Sequence, residues 1–300
     1  MTEFQTAPPA PLHETRPFRW SVRRELWESR WIYLAPLAVV AFVMFGYFFY
    51  TFGLPRHLHA TPQNPAKLRE AICMPYSAVS GAVMMTAFLV GVFYCLESFQ
   101  SERRDRSILF WKSLPLSDRT VVLAKASIPL LVMPLLMFVI VLTAQVLMLQ
   151  LGTVRLLSDR YAFNLLWTQL KFGQLVIAEL YAFIAIALWH APIYSWLLLV
   201  SGWARRAAIL WAVLPFLVAF AMEHVIFNTH YFATLIGYRF MGWFQEGFIF
   251  APKSSPVVLD PLQSITPVRF LTRPGLWLGL LFAAGFIVLA IRLRRHREPV

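Results

Sequence analysis

Long runs of apolar residues, separated by shorter charged stretches, dominate the pattern of this chain. A helix needs about 20 mainly apolar residues to cross a bilayer, and six stretches reach that length. We therefore predict an all-α integral membrane protein with a six-span transmembrane domain over residues 31–293. The predicted spans are residues 31–52, 76–96, 126–151, 172–200, 207–227 and 275–293.

The composition supports this interpretation. Hydrophobic residues make up 59% of the 300 residues and charged residues only 14%, whereas a soluble domain has roughly 25% charged residues. This excludes a soluble enzyme. The net charge of +12 raises the question of nucleic acid, but basic residues also collect in cytoplasmic loops and contact anionic lipid. We expect membrane lipid as a partner, and no nucleic acid.

The distribution of basic residues predicts the orientation. With the N-terminus inside, 17 of the 27 Lys and Arg residues lie on the cytoplasmic side, so the positive-inside rule favours N-in, C-in. Residues 1–16 then form a flexible cytoplasmic N-terminus and residues 294–300 a basic cytoplasmic tail. Between spans five and six lies an outer segment, residues 228–272, for which we expect short or re-entrant helices rather than a seventh span.

An amphipathic helix is expected at residues 17–30, before the first span. Pro17 suits a first helical turn, and Trp20 and Trp27 fall on one face. Interfacial Trp beside Arg23 and Arg24 is typical of a membrane-surface anchor. One interpretation is a simple surface helix, and the other is an elbow that also contacts a cytoplasmic partner.

The connection between spans two and three, residues 97–125, carries more apolar surface than a bare loop needs. Its first half is charged, and an apolar helical face ends at Pro115. Ser117 is placed to cap a second helix that runs through Lys125 into the third span. Exposed apolar side chains beyond the lipid suggest a docking surface for another protein, while burial at the lipid surface is the alternative.

This pattern resembles the permease subunits of type-2 ATP-binding-cassette (ABC) exporters, as does the order of elbow, six spans and long outer segment. The resemblance implies a coupling segment that docks on a separate ATPase, a dimer of permeases with two ATPase subunits, and a location in the inner (cytoplasmic) membrane. ATP and Mg²⁺ would bind to the partner, and indeed no GxxxxGK[ST] motif occurs here. The implied docking residues are Glu102, Arg103, Arg104, Asp105, Arg106, Ile108, Phe110, Trp111, Leu114 and Pro115.

A smaller cytoplasmic contact is implied for residues 201–206, together with the elbow. Its predicted residues are Trp20, Arg23, Arg24, Trp27, Arg205 and Arg206. For the dimer we expect spans one, two and five nearest the axis. Small-residue rows in span two support close helix approach, and these rows are Ser77, Gly81 and Met85, followed by Ala87, Gly91 and Cys95.

Ionisable residues inside the spans mark a candidate substrate path, because each is costly in hydrocarbon. Glu179 and His190 lie eleven residues apart. On one α-helix their side chains would point about 20° apart around the axis and lie ~16 Å apart along it. They predict a translocation path, or else one hydrogen bond each to a neighbouring helix. Gly275 and Gly279 form a GxxxG pattern, for which we expect helix packing.

Two other classes of function remain as alternatives. An intramembrane hydrolase or lipid-modifying enzyme would use Glu179 and His190, with a residue from another span between them. A haem-binding electron carrier would use His190, His224 and His230. Since HExxH, CxxC and GxSxG motifs do not occur, we assign no catalytic residue, no metal site and no cofactor to this chain.

Overall fold

A computed structural model describes residues 17–60, 65–104, 117–204, 206–249 and 260–296, and helices make up nearly all of them. The helices are α1 (Pro17–Glu28), α2 (Trp31–Ala60), α3 (Pro65–Glu97), α4 (Gln100–Arg104), α5 (Asp118–Ser127), a π-helical turn (Ile128–Val132), α6 (Met133–Leu156), α7 (Arg160–Leu170), α8 (Phe172–Trp203), α9 (Ala208–Phe227), α10 (Tyr231–Gly247), α11 (Pro261–Ser264), α12 (Pro267–Thr272) and α13 (Pro274–His296).

Within these described ranges, six helical segments are long and apolar enough to cross a membrane, which indicates a multi-pass membrane protein. Each contains or closely matches one predicted span, so the prediction of an all-α fold with six such helices is confirmed. The segments are Trp31–Arg56, Leu68–Glu102, Asp118–Leu156, Arg160–Trp203, Ala208–Phe227 and Pro274–Arg295. We refer below to the end of the bundle that carries α1 as the α1 end and to the opposite one as the far end.

The two helices at the extremes of burial are α8 and α9. In the most apolar window of the α8 segment 72% of the residues are buried, whereas in α9 the share is 6%. Helix α8 packs against α3, α6, α10 and α13, so it is the central helix of the bundle. Helix α9 presents almost its whole apolar surface outward.

The third span begins as predicted but contains an irregularity. The Ser117 hydroxyl accepts a hydrogen bond from the Thr120 N–H at 3.1 Å, which caps α5. The chain then forms the π-helical turn, in which the Met133 N–H donates to the Ile128 carbonyl five residues back. Pro129 and Pro134 lie at and just beyond this turn, and neither has an N–H for a regular α-helical ladder.

Helix α7 was not among the predicted elements. The Asp159 carboxylate accepts a hydrogen bond from the Ala162 N–H at 3.1 Å and so caps its first turn. Lys171, in the left-handed conformation (φ 43°), separates it from α8. Ala162, Leu166 and Leu170 form its buried face, while Tyr161 and Trp167 are half exposed.

The segment between α9 and α13 is built around one tryptophan. Trp189 of α8 is completely buried, with the rings of Tyr238 and Phe270 at 5.3 and 5.8 Å between centroids. The expected short helices are present as α11 and α12, but a single 17-residue helix, α10, precedes them. The Glu223 carboxylate holds the start of α10, because it accepts hydrogen bonds from the backbone of Tyr231 and Phe232 at 2.7 and 2.8 Å.

The GxxxG pattern packs against a side chain rather than a helix backbone. Arg239 of α10 lies across Gly275 and Gly279 of α13, and its Nη1 donates to the Gly275 carbonyl at 3.0 Å. A Cβ atom at position 279 would overlap the guanidinium group. Gly279 therefore provides the space for the Arg239 side chain of α10, whereas a Cβ atom on Gly275 would make only ordinary contact with Tyr238.

Gly242 provides a test of this packing. Its substitution by Ala would put a Cβ atom 2.5 Å from Cζ2 of Trp189, and the enclosed indole has no room to move. We expect Gly242→Ala to destabilise the protein by about 1–3 kcal/mol, the usual cost of overpacking. The melting temperature of the purified protein in detergent measures this.

Gly237→Ala is the matched control, because it lies in the same helix and has nothing within 4 Å of an added Cβ. It should be neutral or slightly stabilising, since Ala favours a helix over Gly. Equal melting temperatures for the two variants would contradict the packing of α10 on Trp189.

Candidate functional site

Lys125 is the centre of a buried charge network at the α1 end. Only 2% of this residue is exposed. Its Nζ lies 2.9 Å from the Glu25 carboxylate of α1 and 3.1 Å from the Glu102 carboxylate of α4. It also donates a hydrogen bond to the Ser98 carbonyl at 2.8 Å. The ammonium group thus has two acidic partners and a carbonyl, which together offset its removal from water.

Further ion pairs extend this network to the last span. Arg294 of α13 lies 3.1 Å from both the Glu102 and the Asp118 carboxylates. Arg24 of α1 lies 2.9 Å from Glu25 and 3.4 Å from Glu102. We call these six residues the charge network: Arg24, Glu25, Glu102, Asp118, Lys125 and Arg294.

The charge network fixes both ends of the segment between α4 and α5. Glu102 lies three residues before residue 105, and Asp118 lies two residues after residue 116. The turn before α4 is also held, because the Phe99 N–H donates to the Ser201 hydroxyl of α8 at 3.0 Å. Residues 105–116 are therefore bracketed by helices that are tied to α1, α8 and α13.

The predicted docking residues fall into two groups. Glu102 is buried within the charge network and Arg104 is exposed, and Arg103 belongs to the same helix, α4. The others lie outside the described residues: Asp105, Arg106, Ile108, Phe110, Trp111, Leu114 and Pro115.

The residues of the smaller predicted contact are divided as well. Trp20 and Trp27 are 70% and 64% exposed, and the Arg23 guanidinium lies over the Trp27 ring at 4.6 Å. Arg24 instead belongs to the charge network. Arg206 is exposed, and Arg205 lies outside the described residues. Helix α1 thus presents Trp20, Arg23 and Trp27 outward, whereas Arg24 and Glu25 face the bundle.

Glu179 belongs to a second buried polar group, inside the bundle near the far end. Its Oε1 accepts hydrogen bonds from the Ser80 hydroxyl of α3 and from the Gln145 amide of α6, both at 2.5 Å. The same amide nitrogen lies 3.0 Å from the Ser80 oxygen. We call Ser80, Gln145 and Glu179 the polar cluster. It joins three of the six candidate spans.

His190 has different neighbours from Glu179. Its Nε2 lies 3.2 Å from the Phe240 carbonyl of α10, and the Phe88 ring is 5.1 Å away between centroids. The two predicted path residues are thus not brought together, although both contact α3. Glu179 forms hydrogen bonds with α3 and α6, and His190 lies within hydrogen-bond distance of α10. The assignment of both residues to a translocation path stays a prediction.

Ion pairs also join helices at the far end. The Asp260 carboxylate lies 2.6 Å from Lys171 and 2.8 Å from Arg69, and the Lys171 hydrogen bond lowers the pKa of Asp260 below its usual 3.8. A carboxylate whose pKa is lowered in the folded protein stabilises the fold at pH values above its usual pKa. This stabilisation is lost as the pH falls through the lowered pKa. These pairs therefore link α3, the start of α8 and the start of α11 at neutral pH, and the contribution of Lys171 is small because its side chain is 40% exposed.

Sequence reasoning missed Glu25 and Gln145 and gave Lys125 no partner, although each leaves a signal. Lys125 and Gln145 are isolated polar residues in an otherwise apolar stretch, and Glu25 follows Ser21 by four residues on the inward face of α1.

Within the described ranges, no group of three or more His, Cys, Asp or Glu residues is arranged to hold a metal ion. No protein-family model, curated protein or solved structure matches this chain.

The charge network predicts a large effect of removing its central cation. Lys125→Met keeps the length of the side chain but leaves Glu25 and Glu102 buried with less positive charge. Breaking a buried ion pair from one side costs about 3–5 kcal/mol, so we expect a pronounced fall in melting temperature in detergent.

The control is Lys171→Met, which removes a lysine that is 40% exposed and pairs with Asp260. Exposed ion pairs contribute little, so this variant should remain close to the wild type. A Lys125→Met protein as stable as Lys171→Met would contradict the role of Lys125 as the centre of the network.

Proposed function

We propose that this chain is the transmembrane permease subunit of a type-2 ABC exporter, driven by a separate ATPase that binds ATP and Mg²⁺. The observation that carries the proposal is the charge network, which ties the helices on both sides of residues 105–116 to the bundle. A segment through which one protein moves another needs rigid attachment at both ends. The resemblance of residues 97–125 to a coupling segment adds to this argument.

The proposed docking surface combines charge with apolar anchors. Because Glu102 is held inside the network, the charges of Arg103, Arg104, Asp105 and Arg106 would set specificity and encounter rate. Phe110 and Trp111 would supply the binding energy, as buried aromatic anchors commonly do. The network and the docking segment then lie on the cytoplasmic side, with both termini inside and the chain in the inner membrane.

The proposed assembly contains two permeases and two ATPase subunits. Helix α9, the fifth span, leaves most of its surface free for lipid or a second copy. One of the two small-residue rows of α3 is similarly outward, since Ser77, Gly81 and Met85 are exposed. The other row is used inside the chain, because a Cβ atom on Gly91 would lie 2.9 Å from Tyr194. We therefore place α9 and the row of Ser77, Gly81 and Met85 near the dimer axis.

Native mass spectrometry of the complex purified from membranes tests this stoichiometry. We expect two copies of this chain, and introducing Trp at Gly81 should shift the population toward single copies by filling the close contact. Trp at the exposed Gly285 of α13, which like Gly81 has nothing within 4 Å of an added Cβ, is the control for bulk alone. A single copy in the wild-type complex would contradict the dimer.

The docking surface is tested by replacing both proposed anchors, Phe110 and Trp111, with Ala. Loss of a hot-spot aromatic costs about 2 kcal/mol or more, which lowers partner affinity at least about twentyfold. We expect the double variant to release the ATPase during purification, or to keep it without ATP-driven transport, measured with the ATPase of the same organism in proteoliposomes.

The matched control replaces Tyr161 and Trp167 with Ala, since these two aromatic residues are about half exposed at the far end. This variant should retain the ATPase. If the Phe110 and Trp111 variant keeps full assembly and transport, the docking surface lies elsewhere, at Trp20 to Trp27 or at Trp203 to Arg206.

A further inference from the structure

The polar cluster contains acceptor atoms that no described residue satisfies. Glu179 Oε1 receives two hydrogen bonds, but Glu179 Oε2 and Gln145 Oε1 are both buried and have no donor among the described residues. Gln145 is completely buried and Glu179 is 94% buried, since its exposure is 6%. An unsatisfied buried acceptor is costly, and here two of them belong to side chains that are already hydrogen-bonded to each other.

Both unsatisfied atoms are oxygens, so the missing group has to be a donor or a cation. Lys and Arg do not supply it, because no described basic residue forms an ion pair with Glu179. The titratable side chains of this region are Tyr47 and Tyr50 on α2 and Cys73 and Tyr76 on α3, all neutral at pH 7. Arg69, beside Cys73, forms its ion pair with Asp260. An ionised Glu179 would therefore be an uncompensated charge inside the bundle.

We propose that Glu179 and Gln145 form a proton-binding site, in which Glu179 carries a proton on Oε2 and donates it to the amide oxygen of Gln145. A carboxylic acid and a primary amide then form two hydrogen bonds, with the amide N–H donating to Oε1 and the acid O–H donating to the amide oxygen. Each of the two side chains then supplies the hydrogen-bond donor that the other lacks, and the Ser80 hydroxyl is the second donor to Glu179 Oε1.

A metal cation fits this cluster less well than a proton. The amide nitrogen and the Ser80 hydroxyl both direct hydrogen atoms toward Oε1, which repels a cation there. The remaining acceptors, Oε2 and the amide oxygen, are two ligands, whereas hard cations such as Ca²⁺ and Mg²⁺ take six or more. One proton satisfies both atoms.

Release of the proton would change how three spans pack. The Oε2–H bond breaks, the proton passes to water, and its electron pair stays on a carboxylate that lies between α3, α6 and α8. The amide oxygen then faces this carboxylate with no donor between them, so α6 and α8 separate or admit water. Proton binding is thus linked to the packing of the central helix, whether or not the chain is an exporter subunit.

Infrared spectroscopy of the full-length protein in phosphatidylcholine nanodiscs tests the site. At pH 7 we expect a carbonyl band of a protonated carboxylic acid that is lost in Glu179→Gln, which keeps the shape of the side chain. Glu246→Gln is the control. That carboxylate is also buried, but two arginines already compensate its charge, since it lies 3.1 Å from Arg269 and 2.7 Å from Arg273. Its replacement should therefore leave the band unchanged.

A second variant, Gln145→Met, removes the amide and retains the acid. The band should persist but shift in frequency, because the acid has lost the oxygen to which it donates. The absence of an acid band at pH 7, its persistence in Glu179→Gln, or an unchanged frequency in Gln145→Met would each overturn the proposal. Loss of the band when sodium chloride replaces choline chloride would overturn it as well, since the site would then bind Na⁺.

Discussion

The requirement to neutralise Lys125 determines how the α1 end of this protein is arranged. A lysine that is 98% buried must find its negative charge within the protein. Glu25 and Glu102 supply it, and they come from two different helices. Glu102 in turn requires Arg294, and Arg294 requires Asp118. One buried cation therefore accounts for the contacts of α1, α4, α5 and α13, which sequence order alone would leave independent.

The helices at the far end are held together by different interactions. There, aromatic rings surround Trp189, glycines allow close approach, and the ion pairs lie in more exposed positions. The two ends of the bundle thus differ in what holds them together. Buried ion pairs join the helices at the α1 end, whereas aromatic packing and close approach at glycines join them at the far end.

The six candidate spans could be predicted because hydropathy acts on each segment independently. The Ser117 cap was predictable for the same reason, since a helix start depends on a few neighbouring residues. The ion pairs of Lys125 with Glu25 and of Glu102 with Arg294 were not predictable, because the partners are distant in sequence. Nothing in the neighbouring residues distinguishes them from other acidic and basic residues. Helix α7 was hidden as well, since its break from α8 rests on the left-handed Lys171, a residue with no turn preference. Residues 105–116 remain a prediction from pattern.

The π-helical turn of the third span has a consequence for the relation between the two buried polar groups. Lys125 and Gln145 lie on the same continuous segment, before and after this turn. One extra residue in a helical turn rotates everything beyond it by about 100°, the angle between successive residues of an α-helix. Regularising the turn would leave Lys125 in the charge network but swing Gln145 away from Glu179. Residues 128–132 therefore set the rotation of α6 about its axis relative to α5. This rotation lets one continuous helical segment contact different neighbours at its two ends.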